Sequence, residues 1–358
     1  MCPMHLRQIR DSSEGMPAVC SKHLEHKASR HLDADLSRIQ GKCMHETTVE
    51  NSFAAYRCCE LCPRHCRVDR SAGQTGKCGE PAECRIGSIG PHHGEEPPIS
   101  GTKGSGTIFL SGCPCQCFFC QNYQLSLQHA GRAIGAEELL DSIRDLVQTG
   151  VHNLNFVTPD HFWPHIKHIC RKLREAAVDI PFIYNCSGYE RADLIPEVAE
   201  YMQIFLPDFK YSDPELAREC SSAPEYPEVA LAALREMVAR RGFLEPFDQT
   251  GMRPAREGVL VRHLVLPGQA DNSIEVLKTL REEFGRMLPL SVMSQYRPMP
   301  ECRRRGLLMR QVTAEEYRRV CDAVDELGFR QVFLQPALDD TGYVPDFSQR
   351  NPFPGNSG

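Results

Sequence analysis

The segment SGCPCQCFFCQN constrains this chain most, because Cys113, Cys117 and Cys120 stand there in CxxxCxxC spacing directly behind the apolar run TIFL. Three thiolates on one short loop can hold three corners of a cubic [4Fe-4S] cluster. No fourth cysteine follows at comparable spacing, so one iron would stay open. An open metal position marks a catalytic rather than a structural site. The surroundings are uncharged and amide-rich, without carboxylates to repel anionic thiolates. A zinc loop or spare reduced thiols is the competing reading. Placement decides for the cluster, since the loop follows a strand at the head of a strand–helix repeat. Cys115, inside the same loop, is read as a bystander open to ligand exchange under oxidation.

Beyond Thr107 short β-branched or apolar runs alternate with amphipathic helices. The strand candidates are TIFL, NLNFVT, PFIYNC, QIFLPDF, GVLVRHLVLP, LSVMSQY and RQVFLQ. Leu139, Leu140, Ile143, Leu146 and Val147 fall on one helical face, with Gly150 placed to end that helix. Thr313 and Glu316 form a capping-box signature ahead of Tyr317, Val320, Cys321, Val324 and Leu327. Repeated strand–helix units demand right-handed crossovers and a parallel sheet, either closed toward a barrel or open and doubly wound. In both, a ligand sits at the carboxyl ends of the strands.

Ten of the 18 cysteines lie between Cys58 and Cys120. The opening residues, MCPMHLRQIRDSSEG, have no apolar core of a signal peptide, so a reducing compartment and a cytoplasmic location are expected. Thiols clustered there are metal ligands or redox groups before they are bridges. Residues 1–57 mix eight basic and seven acidic side chains with five irregularly spaced histidines, and read as a partly disordered extension. Residues 58–106 are rich in Cys, Gly and Pro and poor in apolar runs, which reads as loops and turns in need of a staple. Cys59, Cys62, Cys66 and Cys78 supply four thiols for a closed accessory site, zinc or a second iron–sulfur cluster. Unligated thiols are the alternative, and Cys58 or Cys84 could replace a member. Residues 107–340 are assigned to the strand–helix domain and 341–358 to a C-terminal tail.

Composition narrows the partners. Forty-one basic against 47 acidic residues leave a net charge of -6, with no footprint for a nucleic-acid backbone. The charge-free stretch from Gly104 to Gly131 is interrupted by Gln116, Gln121, Asn122, Gln124 and Gln128, which excludes it as a membrane span.

CxxxCxxC at the end of a first barrel strand, with Phe119 at its aromatic position, resembles the radical S-adenosylmethionine (SAM) superfamily. The strings CELCPRHCRVDR, GEEPPISG, GSGTIFLSGC, NFVTPDHF, YNCSGY, LPDFKYSDPELA and VRHLVLPG, in that order, are similar to the pyruvate formate-lyase-activating-enzyme-like subgroup. The resemblance implies a partial TIM-like (βα)6 barrel of parallel strands with a Cys-rich metal-binding segment before it. It also implies SAM chelated at the open iron and cleaved by one electron, with a 5'-deoxyadenosyl radical abstracting substrate hydrogen. A protein glycyl residue is one target of that chemistry; a small molecule or a peptide side chain is the alternative. The electron donor would be a flavodoxin or ferredoxin. A non-catalytic zinc or redox-sensing protein is the reading from a different class.

Strand ends suggest the SAM contacts. Asp208 and Lys210 alternate with Phe209 and so share a face, where a DxK string contacts SAM in related activating enzymes; a simple salt bridge is the other reading. Asn185 and Ser187 end the preceding strand, and Arg262 offers a planar fork for the SAM carboxylate, with His263 facing away. The GGE-like string that receives SAM's amino group in many members is VTPDHF here, so backbone carbonyls around Thr158 are expected in its place. His161, His165 and His168 are read as ordinary residues at a helix start.

Overall fold

The computed structural model describes residues 53–336, 344–349 and 351–353. The expected extension therefore lies outside the described residues up to 52, as does most of the tail.

Seven parallel strands follow one another through the chain and match the seven candidate runs. They are β2 (Ser105–Leu110), β4 (Leu154–Val157), β5 (Phe182–Cys186), β6 (Ile204–Pro207), β7 and β8 (Gly258–Val259 and Val261–Leu264, one strand interrupted at Leu260), β9 (Leu290–Met293) and β10 (Val332–Leu334). Ladders join β2-β4-β5-β6-β7 and β8-β9-β10, and a parallel bridge between Asp208 and Arg262 links the two sets. This is the expected open barrel, with β10 adding a seventh strand to the six expected. Every residue of β2 is buried, as a strand flanked on both edges and covered by helices requires.

The helices cover the outside. In α1 (Ala136–Gln148) the buried residues are Leu139, Leu140, Ile143 and Leu146, the face read from the spacing, and Gly150 takes φ +83° just past the end. In the helix Ala314–Glu326 the Thr313–Glu316 capping box forms in both directions. His161 lies in the 3-10 turn Asp160–Phe162 just before the helix Trp163–Glu175, α2, which carries His165 and His168 in its first turns, and all three are buried. His165 is buried with its Nδ1 2.7 Å from the Tyr56 hydroxyl, and His161 Nε2 lies 2.7 Å from the Ser111 carbonyl. Tyr56 is itself buried, so the ordered fold begins before the expected boundary at residue 58.

The upstream segment departs from its expected character. It contains β1 (Cys84–His92), which pairs antiparallel with both β2 and β3 (Arg132–Ile134) and extends the main sheet. Two glycines and a proline within CRIGSIGPH hid that strand, and a register shift between Ile86 and Ser88 lets the sheet bend there.

Candidate active site

Parallel register brings the strand ends together. Val157 on β4 lies opposite Phe109 and Asn185, and Cys186 lies opposite Pro207, so the residues after each strand open on one cavity of about 260 Å³. All of the strand-end candidates line it: Thr158, Asn185, Ser187, Asp208, Lys210 and Arg262. Cys113, Cys115, Cys117, Phe119 and Cys120 line it as well. His263 does not; its Nδ1 lies 2.7 Å from the Phe209 carbonyl.

The cysteine loop is fixed at both ends. Gly112 has φ +79°, and a Cβ there would fall 2.8 Å from the Cys78 carbonyl oxygen, so only glycine fits. Phe118 N donates to Cys220 O at 3.0 Å, and Gln121 Nε2 donates to Gln295 O at 2.9 Å, tying the loop to the end of β9. Cys117 is the best stabilised thiolate. Contact with the Cys115 thiol 3.5 Å away opposes burial, and with help from the Lys210 charge and the Ser221 hydroxyl at 3.1 Å it is brought down to about 6. Burial pushes Cys113 and Cys120 up, Cys120 to about 11.

Three soft thiols on one wall of a cavity, with an ammonium beside them, fit an iron–sulfur group. Among the described residues no three His, Cys, Asp or Glu side chains are grouped about a single metal ion. A cube with one thiolate per iron does not require such convergence, whereas a zinc ion does. Cys59, Cys62, Cys66 and Cys78, expected to hold zinc or a second iron–sulfur cluster, likewise show no three-ligand grouping about one metal ion. Cys66 Sγ accepts from Lys77 N at 3.2 Å, and Cys78 lies 4.0 Å from Glu80 O. The segment is stapled by Arg70, whose side chain is 1% exposed. Its guanidinium donates to the carbonyls of Glu80, Pro81 and His161 and lies over the rings of Tyr56 and Phe162.

Two assignments at the strand ends need adjustment. Asp208 and Lys210 share a face as expected, line the cavity and pair with each other. Burial opposes charge on Lys210, but Asp208 and the Cys117 thiol hold its ammonium well above its ordinary value. Arg262 is already engaged: Nε donates to Glu96 Oε1 at 3.0 Å, and Nη2 contacts both Glu95 and Glu96. The fork through Nε and Nη2 expected for a SAM carboxylate is filled by the protein's own glutamates. Both glutamates line the cavity and were missed as functional residues, although the adjacent acids of GEEPPISG were their signal. Thr158 holds φ +56°, a strained conformation for a β-branched residue, while its N–H donates to Asn185 O at 2.8 Å. That twist sets the Thr158 peptide at the cavity wall where a glutamate string is absent.

Residues 107–280 match the profile of the Radical SAM superfamily. That stretch is similar to a radical SAM domain. An uncharacterized protein of Methanocaldococcus jannaschii is similar at 24% identity over 291 residues, 80% of this chain and 79% of that one. A structure of methylornithine synthase overlaps 87% of this chain and 86% of its own at 13% identity, with a TM-score of 0.45. A structure of native anSMEcpe with bound AdoMet and Cp18Cys peptide overlaps 62% and 60% at 11% identity, with a TM-score of 0.41. No helix among the described residues is long and apolar enough to cross a membrane.

Proposed function

We propose that the protein is a radical SAM enzyme that abstracts hydrogen from its substrate, with the cluster held by Cys113, Cys117 and Cys120. One observation carries this reading: the three thiols and the strand-end residues Asn185, Ser187, Asp208 and Lys210 line the same cavity. When bound, the cluster and SAM supply one-electron cleavage of the sulfonium. The chain's own residues position and insulate. Lys210 places positive charge beside the thiols, Phe119 walls the loop, and the twisted Thr158 peptide offers a backbone acceptor for an amino group. A small one-electron donor such as a flavodoxin or ferredoxin would deliver the electron.

The strings shared with activating enzymes support a protein glycyl residue as the target. A specific observation favours the second reading, a small molecule or a peptide side chain: the cavity is walled by the carboxyl groups of Glu95 and Glu96 and by the Phe353 ring, which a bare glycyl backbone has no groups to meet. Anaerobic reconstitution followed by reduction in the presence of SAM tests the enzyme class. Brown protein that releases 5'-deoxyadenosine is expected; colourless protein without it overturns the reading.

A further inference from the structure

The thiol loop and Lys210 form one part of the cavity, and a different chemistry forms another. Glu95 and Glu96, in the turn after β1, meet the single guanidinium of Arg262, while Glu95 Oε1 also accepts from Asn155 Nδ2 at 2.9 Å. Burial pushes the Glu96 carboxyl up, but Arg262 and a hydrogen bond from Ser291 hold it below its ordinary value, and Glu95 shares the same guanidinium. Two carboxylates against one guanidinium leave this wall one negative charge in excess. Asp208 and Lys210 cancel each other and do not offset it. His92, which lines the same cavity, is kept neutral chiefly by burial.

Three rings line the same cavity as Glu95. The His92 and Phe353 centroids are 4.4 Å apart, Phe109 and Phe353 5.5 Å, and His92 and Phe109 6.4 Å. Phe353 is held there by the C-terminal segment, in which Asp346 N donates to Pro352 O at 3.0 Å and Phe347 N donates to Gln124 Oε1 at 2.7 Å. A partly buried excess of negative charge is costly unless a cation balances it, and aromatic faces attract cations. We propose that this part of the cavity is a substrate subsite for a cationic group, an ammonium or a guanidinium, seated between Glu95 and the ring of Phe353. The assignment rests on the radical SAM reading only in reserving the thiol side for the cofactor. A cation could also come from SAM itself, and the test separates the two sources.

Ligand-observed NMR on the reconstituted full chain, with n-butylammonium, n-butylguanidinium and neutral n-butanol as probes, reads the subsite without turnover. Both cations are expected to bind, and butanol at least about tenfold more weakly, since it forgoes a charge-assisted contact. Glu95→Gln keeps an acceptor for Asn155 and should weaken butylammonium roughly tenfold. Phe353→Ala, on the peripheral segment, should weaken it by about threefold while leaving butanol unchanged. SAM affinity, read from the cluster's EPR spectrum, should be the same in both variants. Equal binding of butanol and butylammonium overturns the proposal, as does unchanged butylammonium binding in both variants. A tenfold loss of SAM affinity in Glu95→Gln would assign the site to the cofactor and also overturn it. Absence of iron and of 5'-deoxyadenosine would sink the enzyme reading yet leave the butylammonium measurement readable.

Discussion

Two cysteine groups meet at Gly112, where an added Cβ would touch the Cys78 carbonyl, and the chain holds them by different physics. In the loop 113–120 three thiols border a cavity together with polar strand ends, and Lys210 supplies them with positive charge. In the group 59–78 burial raises Cys62 beyond the ordinary thiol range and Cys78 to about 11, and the backbone is secured by an arginine. Burial raises thiols in both groups, Cys120 to about 11 as well as Cys78, so what separates them is the cavity and the nearby Lys210 charge at the loop and the Arg70 staple upstream.

The largest expected effect separates the two groups outright. Cys113→Ala, Cys117→Ala and Cys120→Ala should each abolish 5'-deoxyadenosine formation and lower bound iron and sulfide. Cys62→Ala and Cys115→Ala should retain the iron of the loop cluster. Iron and sulfide analysis with product chromatography decides it, and retained cleavage in any of the first three would remove that ligand assignment.

Much of this site was legible because strand–loop order and thiol spacing are local properties. TIFL ahead of Cys113, and LPDFKY with its alternating Asp208 and Lys210, declare their faces from pattern alone. What was not legible depends on distant partners. Nothing in CRVDRSAG shows that Arg70 will meet the carbonyl of His161, 91 residues away, nor does VRHLVLPG show that Arg262 will be taken by Glu95 and Glu96, 166 and more positions earlier. Such pairings follow from the docking of the upstream segment against the barrel, which spacing does not encode.

Arg70→Met tests the staple. It leaves three carbonyls without their buried donor, at a cost of roughly 3 kcal/mol or more in unfolding free energy. Urea unfolding of the metal-free chain measures it; a loss below about 1 kcal/mol would show that something other than Arg70 orders the segment.

The contact between Tyr56 and α2 should carry a pH signature of similar or smaller size. Burial drives the His165 imidazole down to about 4, whereas an unfolded chain takes up that proton near pH 6.5. The native form is neutral, so the stability it contributes is complete above about pH 6.5, declines as pH falls, and is lost below about 4. The loss approaches 3 kcal/mol at the acid end. Subtracting the profile of His165→Gln from that of the wild type isolates it, and two parallel profiles between pH 7.5 and 5 would refute the assignment.

The smallest effect is expected at Cys66, and it bears most directly on the contrast between the groups. Its sulfur accepts one backbone hydrogen bond, from Lys77 N, and the residue is only partly buried. Cys66→Ala removes that acceptor and little packing, so the loss should be about 1 kcal/mol or less, with the loop cluster's iron unchanged. A closed zinc site would respond quite differently, since structural zinc contributes on the order of 10 kcal/mol and loses it when a ligand is deleted. Chemical unfolding of wild type and Cys66→Ala, each with and without a chelator, spans that range. Near-coincident curves leave the upstream thiols as packing groups; a collapse of the variant matched by the chelated wild type would restore the metal and make the two cysteine groups alike.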